Sequence, residues 1–297
     1  MHVDHEPGQS VTVGTDPLSA PIARLDYGSA PKPFLHPITT PAGVLMTLIE
    51  PDDHVWHRGL WFTFKFVNGE NFWEEGDGYG SQRVASIPKI SHPDHATTVI
   101  DLDLDWVAAG DSGPILTEQR RFTVRVVGNA TQIDLQTTLC PTADVTLDRT
   151  PYTTWGGYGG VAFRATSHWH PSQRTVGDRV TDGFLLGETA PWCDVSGPIS
   201  TAVLADRSMG EEPSDAVIDE WAGVAILDHP ANPRHPTPWY TGSGAGNFLN
   251  AALLFHEPMT LGAGEALALR YRILVHDGVW GVEDVQRQFD RYITESD

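Results

Sequence analysis

The stretch Ile100-Asp101-Leu102-Asp103-Leu104-Asp105-Trp106 puts every apolar side chain on one side of an extended chain and every aspartate on the other. A period of two is what a strand half-buried in an antiparallel sheet requires. The alternation continues outward. Phe122, Val124 and Val126 alternate with Arg121, Thr123 and Arg125, and Ile133, Leu135, Thr137 and Leu139 follow Gly128-Asn129, a hairpin signal. Leu267, Leu269, Tyr271, Ile273 and Val275 alternate with Arg270 and Arg272, and Gly262-Ala263-Gly264-Glu265 reads as the turn that brings this strand back from 252–255. Further strands are predicted over 44–49, 60–67, 82–87, 145–148, 161–165, 184–186 and 222–227. Only Val282, Val285, Phe289, Tyr292 and Ile293 fall at helical spacing, with Glu283 and Asp284 where a helix N-terminus favours acids. The pattern predicts an all-β fold, a large antiparallel β-sandwich with a short C-terminal helix. Residues 1–20 read as a flexible segment and residues 21–297 as a single domain.

Composition narrows the partners. The 297 residues carry a formal net charge of −20. Phosphate backbones and anionic lipid surfaces are bound by clustered Lys and Arg, so nucleic acid and membrane are not expected as partners. Two cysteines, Cys140 and Cys193, are too few for a disulfide scaffold and form no C-x-x-C pair. The stretch Met1 to Ser19 has no apolar core of a secretory signal, and no apolar run nears the roughly 20 residues of a membrane helix. A cytoplasmic protein with reduced thiols is the expectation, with homo-oligomerisation left open.

Several segments mix residues that packing alone does not ask for. Pro51-Asp52-Asp53-His54-Val55-Trp56-His57-Arg58-Gly59-Leu60-Trp61 crowds two imidazoles, two carboxylates, a guanidinium and two indoles together. His54 and His57 can act as acid and base, share a metal ion or donate to sugar hydroxyls. Trp73 beside Glu74 and Glu75 suits a sugar ring, whose C–H face takes the indole while its hydroxyls take the carboxylates. Glycines surround Trp155 and Tyr158 and lead to Arg164 in an otherwise apolar strand. His36, held extended before Pro37, and the Trp192-Cys193-Asp194 run are further candidates. Four prolines stiffen Asp228–Tyr240, which presents His229, Arg234, His235 and Trp239. His256-Glu257 follows a predicted strand and offers a carboxylate.

These segments, in this order, resemble a bacterial family of unknown function often labelled the PmoA family (DUF6807-like). The strings that carry the resemblance include Asp52-Asp53-His54-x-x-His57-Arg58-Gly59-Leu60-Trp61, Trp155-Gly156-Gly157-Tyr158-Gly159-Gly160, Trp192-Cys193-Asp194, Asn232-Pro233-Arg234-His235-Pro236-Thr237-Pro238-Trp239 and Val275-His276-Asp277-Gly278. The label names a membrane methane monooxygenase subunit; a chain with no membrane span does not do that chemistry. The resemblance implies a supersandwich of the galactose-mutarotase type, in which histidines and a carboxylate move protons at a sugar ring.

The expected function is therefore a carbohydrate-active enzyme acting on a sugar, keto-sugar or glycoside by acid–base chemistry, as lyase, epimerase or hydrolase. His54, His57, His235 and Glu257 are the expected catalytic groups. His36, Arg58, Trp61, Trp73, Glu74, Trp155, Tyr158, Arg164, Trp192, Asp194, Arg234 and Trp239 are the expected substrate contacts. Two alternatives remain open at this point: a non-catalytic sugar-binding module, and a metal-dependent hydrolase or oxygenase. Any divalent metal would fall to His54, His57 and His235.

Overall fold

The computed structural model describes residues 1–18, 20–110, 113–166, 169, 173–200, 217–242 and 247–296. Two large antiparallel sheets face each other. One has nine strands, ordered His2–Glu6, Ser10–Gly14, Ala23–Asp26, Phe34–Ile38, Leu60–Thr63, Gly160–Arg164, Phe248–Ala252, Pro238–Tyr240 and Leu186–Thr189. The other has ten, running Arg179–Thr181, Gln173–Val176, Trp192–Ser200, Val217–Asp228, Leu267–Asp277, Ala130–Pro141, Pro114–Val127, Thr97–Val107 and Ser81–Val84, with Lys89–Asp94 also paired to Thr97–Val107. A small sheet of Met259–Leu261, Val145–Asp148, Phe66–Val67 and Glu70–Asn71 accompanies them.

Alternation explains the core. Ile100, Leu102, Leu104 and Trp106 turn inward with Phe122, Val124, Ile133, Leu135 and Ile273, against Leu60, Phe62, Val161, Phe163, Leu249 and Ala251 of the opposing sheet. Each such side chain contributes roughly 1.5–3 kcal/mol on burial. Gly128 and Asn129 form the two-residue turn between Val127 and Ala130, with Gly128 at φ 59° as the first central position of such a hairpin demands. The helix Val282–Ser296 lies on the outer side of the ten-stranded sheet, where Val285, Phe289 and Tyr292 cover Trp192, Leu227 and Leu274.

Three expectations are corrected. Residues 1–20 do not form a flexible segment: His2–Glu6 and Ser10–Gly14 pair as strands, and Val11 and Val13 enter the core. The polar Asp4, His5 and Glu6 hid this pairing. The 44–49 segment makes only isolated bridges, Thr39 to Leu45, Thr47 to Ala165 and Ile49 to Arg58. The turn at 262–265 joins Met259–Leu261 to Leu267–Asp277, because the chain has already left the nine-stranded sheet after Ala252. No helix among the described residues is long and apolar enough to cross a membrane.

Candidate functional site

Leu60 and Phe62 enter the core, so Trp61 between them turns to the opposite, outer face of the nine-stranded sheet. Strand register carries that row sideways: Phe34 pairs with Trp61, Trp61 with Ala162, Ala162 with Asn250 and Asn250 with Tyr240. Phe248, Phe255 and Trp73 complete an aromatic cluster on this face, buried beneath the loops that cover it. Trp61 and Trp73 are 5.4 Å apart, and Tyr158 is 4.9 Å from Trp73.

The Pro51–Arg58 loop delivers the imidazoles. Its backbone closes on itself, His54 N to Pro51 O at 2.9 Å and His57 N to His54 O at 2.9 Å. Gly59 ends it at φ 64°; a side chain there would reach within 2.5 Å of the Leu35 carbonyl, so only glycine fits. His57 lies 6% exposed, stacked on Phe248 at 5.2 Å and on His54 at 4.6 Å. Arg164 donates from Nη2 to both Asp53 oxygens, at 2.8 and 2.9 Å, and its Nη1 is 3.5 Å from His57 Nδ1. His54 Nδ1 is 2.9 Å from Asp53 Oδ2.

These contacts set the charges. Burial, then His54 and Arg164, hold the His57 pKa down to about 2, so this imidazole is neutral. A guanidinium only donates, so His57 Nδ1 accepts and Nε2 carries the hydrogen. Burial pushes the Asp53 carboxyl up, yet the bonds from His54 and Arg164 outweigh it and hold it below the ordinary carboxylate range. Asp53 thus fixes the proton of His54 on Nδ1 and leaves Nε2 as the free base position.

A second tier supports the loop. Lys32, 2% exposed, donates to the Trp73 carbonyl at 2.7 Å and pairs with Glu75 at 2.8 Å. Burial lowers its pKa to about 8 against the pull of Glu75. Glu75 also receives two bonds from Arg58, which reaches Glu50 at 2.6 Å and lies over Phe34. Burial opposes the charge of Glu75, and Arg58 and Lys32 overcome it. Lys65 pairs with Glu74, and burial pushes the Tyr158 phenol above its ordinary range.

Of the expected residues, His54, His57, Arg58, Trp61, Trp73, Glu74, Tyr158 and Arg164 come together on this face. Trp155 stands 53% exposed on the loop between Tyr152 and Tyr158. His36 bonds Thr47 Oγ1 at 2.9 Å beside Gly59. Six others lie elsewhere. His235 bonds the buried Asp228 at 2.7 Å and stacks on Phe289 of the helix. Arg234 donates to the carbonyls of Leu253, Glu257 and Pro258. Glu257 itself is 71% exposed. Trp239 is in the core between the sheets, and Trp192 is under the helix. Asp194 is fully buried and binds Ser196 at 2.7 Å and His276 at 2.8 Å. The shared metal set fails on the same ground: His235 sits apart from His54 and His57, and among the described residues no three His, Cys, Asp or Glu side chains gather for an ion. Lys32 and Phe248 belong to the cluster and carry no motif by which a sequence reader would pick them, and Tyr240 closes the proline-rich string without standing out in it. Asp53 and Glu75 were visible inside the dense strings.

The fold defines an all-β antiparallel sandwich with a histidine–aspartate pair over a buried aromatic cluster on one outer face. Residues 10–290 match a family of unknown function, DUF6807, and the chain belongs to that family. No curated protein matches. Among solved structures, the GH36 alpha-galactosidase AgaB from Geobacillus stearothermophilus overlaps at a TM-score of 0.42 and 9% identity, over 95% of this chain and 41% of that one. The chain therefore spans less than half the length of that enzyme. A galactose mutarotase related enzyme from Lactobacillus acidophilus overlaps at a TM-score of 0.34 and 9% identity, over 95% and 99% of the two chains. At these scores neither likeness carries an argument about activity.

Proposed function

We propose that the outer face of the nine-stranded sheet binds a small sugar-like ligand and that the Asp53–His54 pair moves a proton on it. One observation carries this reading: His54, its Nδ1 bonded to Asp53, stacks on a second imidazole that is neutral and oriented by the same Arg164. The two imidazoles have different tasks. His54 Nε2 is the base. His57 offers an Nε2–H with no partner among the described residues, a donor for a carbonyl or alkoxide oxygen that holds its hydrogen bond without carrying charge. Trp61 and Trp73 are buried and back the imidazoles from beneath; Trp56, edge-on to His54 at 5.5 Å, and Tyr158 are half-buried and supply the flat surface that a sugar's C–H face fits. Epimerisation, elimination from a keto-sugar and glycoside cleavage all include such a proton transfer.

The test is turnover on a panel of sugars and keto-sugars beside calorimetric binding of the same compounds. His54→Ala is expected to lower turnover by about 10²–10⁴-fold while binding persists. Unchanged turnover on a true substrate would remove His54 from the chemistry. The half-buried Trp56 and Tyr158 alone favour a second reading, a binding module without catalysis. Sugar binding with no product from the unaltered protein would favour that one.

A further inference from the structure

The chain has three lysines, Lys32, Lys65 and Lys89. Lysine is among the residues least often fully buried, yet Lys32 is 2% exposed and Lys65 6%. Both end under the candidate site. Lys32 pairs with Glu75 and Lys65 with Glu74, so the two carboxylates that follow Trp73 each hold a buried ammonium. The pairs differ in their company. Glu74 also accepts from the neutral amide of Asn71, at 2.5 Å. Glu75 is shared with a second cation, because Arg58 donates to it twice from the end of the imidazole loop. A guanidinium keeps its proton, whereas a buried ammonium gives its proton up readily. In the Lys32–Glu75–Arg58 group the labile proton is therefore that of Lys32. Burial, with a push from Arg58 and against the pull of Glu75 and Glu74, brings this amine down to about 8. The other titratable group that feels its charge is His57, which meets the edge of Trp73 at 6.2 Å.

Lys32 lies out of a ligand's reach and acts on what lies beneath the imidazoles. Its Nζ donates to the Trp73 carbonyl at 2.7 Å and meets Glu75 at 2.8 Å, and Glu75 in turn fixes Arg58. Resting on the proton-transfer reading above, we infer that Lys32 is a positioning residue whose charge ties Trp73 to the imidazole loop, and whose loss of a proton loosens that tie and so regulates the site. Glu75 then keeps one of its two cations. The folded amine titrates near 8 and the unfolded one near 10.5. Between these values the unfolded chain holds the proton longer, so this group adds stability as pH rises. Loosening of the site in that window is thus local, and opposite in direction to the change in stability that the same group makes.

Lysine isotope-labelled at Cε gives three NMR signals in the whole chain, and their titration is the test. One signal is expected to move with a midpoint near pH 8. His57 is neutral throughout this range, so its ring signals, identified by their loss in His57→Phe, report only its surroundings. They are expected to shift with the same midpoint. In Lys32→Met both transitions are expected to vanish. Lys32→Arg keeps the charge and is expected to hold the His57 signals at their neutral positions up to about pH 10. Lysine signals that all move only above about pH 9.5 overturn the inference. So does a His57 signal that ignores the lysine, or one that still shifts near pH 8 in Lys32→Met. Where the Lys32 variants do not fold, the shared midpoint in the unaltered protein decides, with Lys65→Arg and Lys89→Arg assigning the other two signals. None of these readouts needs a substrate. A failed titration leaves the proton-transfer reading standing, and a sugar panel that never binds strikes that reading without touching the titration.

Discussion

Two loops of this chain look alike as sequence and behave differently as structure. Pro51–Trp61 and Asp228–Tyr240 each hold Asp, His, Arg and Trp at high density. Each places a histidine Nδ1 on an aspartate, at 2.9 Å for His54 and 2.7 Å for His235. The carboxylates differ. Asp53 is 50% exposed and Asp228 1%. Asp228 also accepts from Asn232 Nδ2 and from Thr237 N, so its bonds tie the loop to itself. The exposed pair leaves an imidazole facing outward, whereas the buried pair fastens a proline-rich turn beside the C-terminal helix. Burial of the carboxylate is what separates the two histidines here, one left open to solvent and one locked in a buried network, and local sequence does not encode that burial.

The largest expected effect sharpens this contrast. Asp228→Ala strands three donors in a buried site and is expected to lower stability by about 3 kcal/mol. Asp53→Ala, at a half-exposed pair, is expected to lower it by less than about 1 kcal/mol. Urea midpoints of the two variants measure the difference; equal losses would erase the distinction between the loops. Arg234→Met removes three bonds to backbone carbonyls and is expected to lower stability by about 1–2 kcal/mol without changing ligand affinity, in the same urea series.

The neutral His57 gives a pH signature. Its folded pKa, about 2, lies below the unfolded value of roughly 6.5. Above pH 6.5 neither state binds the proton, and stability from this group is flat. Between pH 6.5 and 2 the unfolded chain takes up the proton first, so stability falls with acid, by up to about 1.4 kcal/mol per unit. His57→Phe is expected to flatten that part of the stability–pH curve, read by thermal melts from pH 7 to 4. The smallest effect belongs to Glu257→Ala, within about 0.5 kcal/mol of the unaltered protein and with turnover unchanged. A large loss of turnover there would return Glu257 to the catalytic set.

The sandwich was legible because alternation is a local property. Strands such as Thr97–Val107 and Pro114–Val127 announce one buried and one more open face within ten residues. Their pairing partners are set by long-range register, so the strand before the 262–265 turn was placed at 252–255, and Met259–Leu261, which pairs with Val145–Asp148, went unseen. The His54–Trp61 part of the site was readable because one loop holds it all. Phe248 and Tyr240 were not, since an aromatic residue in a strand reads as core until the sheet's two faces are known. Glu118 and Arg120 mislead the opposite way: they look like surface residues, yet they pair at 2.6 Å inside the sandwich with the Trp106 indole on the carboxylate.

The inner imidazole is stacked on both His54 and Phe248, and a ring held by its faces can offer only its edge. Its Nε2–H lies in that edge, along a direction set before any ligand arrives. Capture should therefore need no reorientation of His57, and its observed rate should rise in proportion to ligand concentration in stopped-flow fluorescence from the neighbouring tryptophans. A rate that levels off would point instead to a rearrangement before the bond forms.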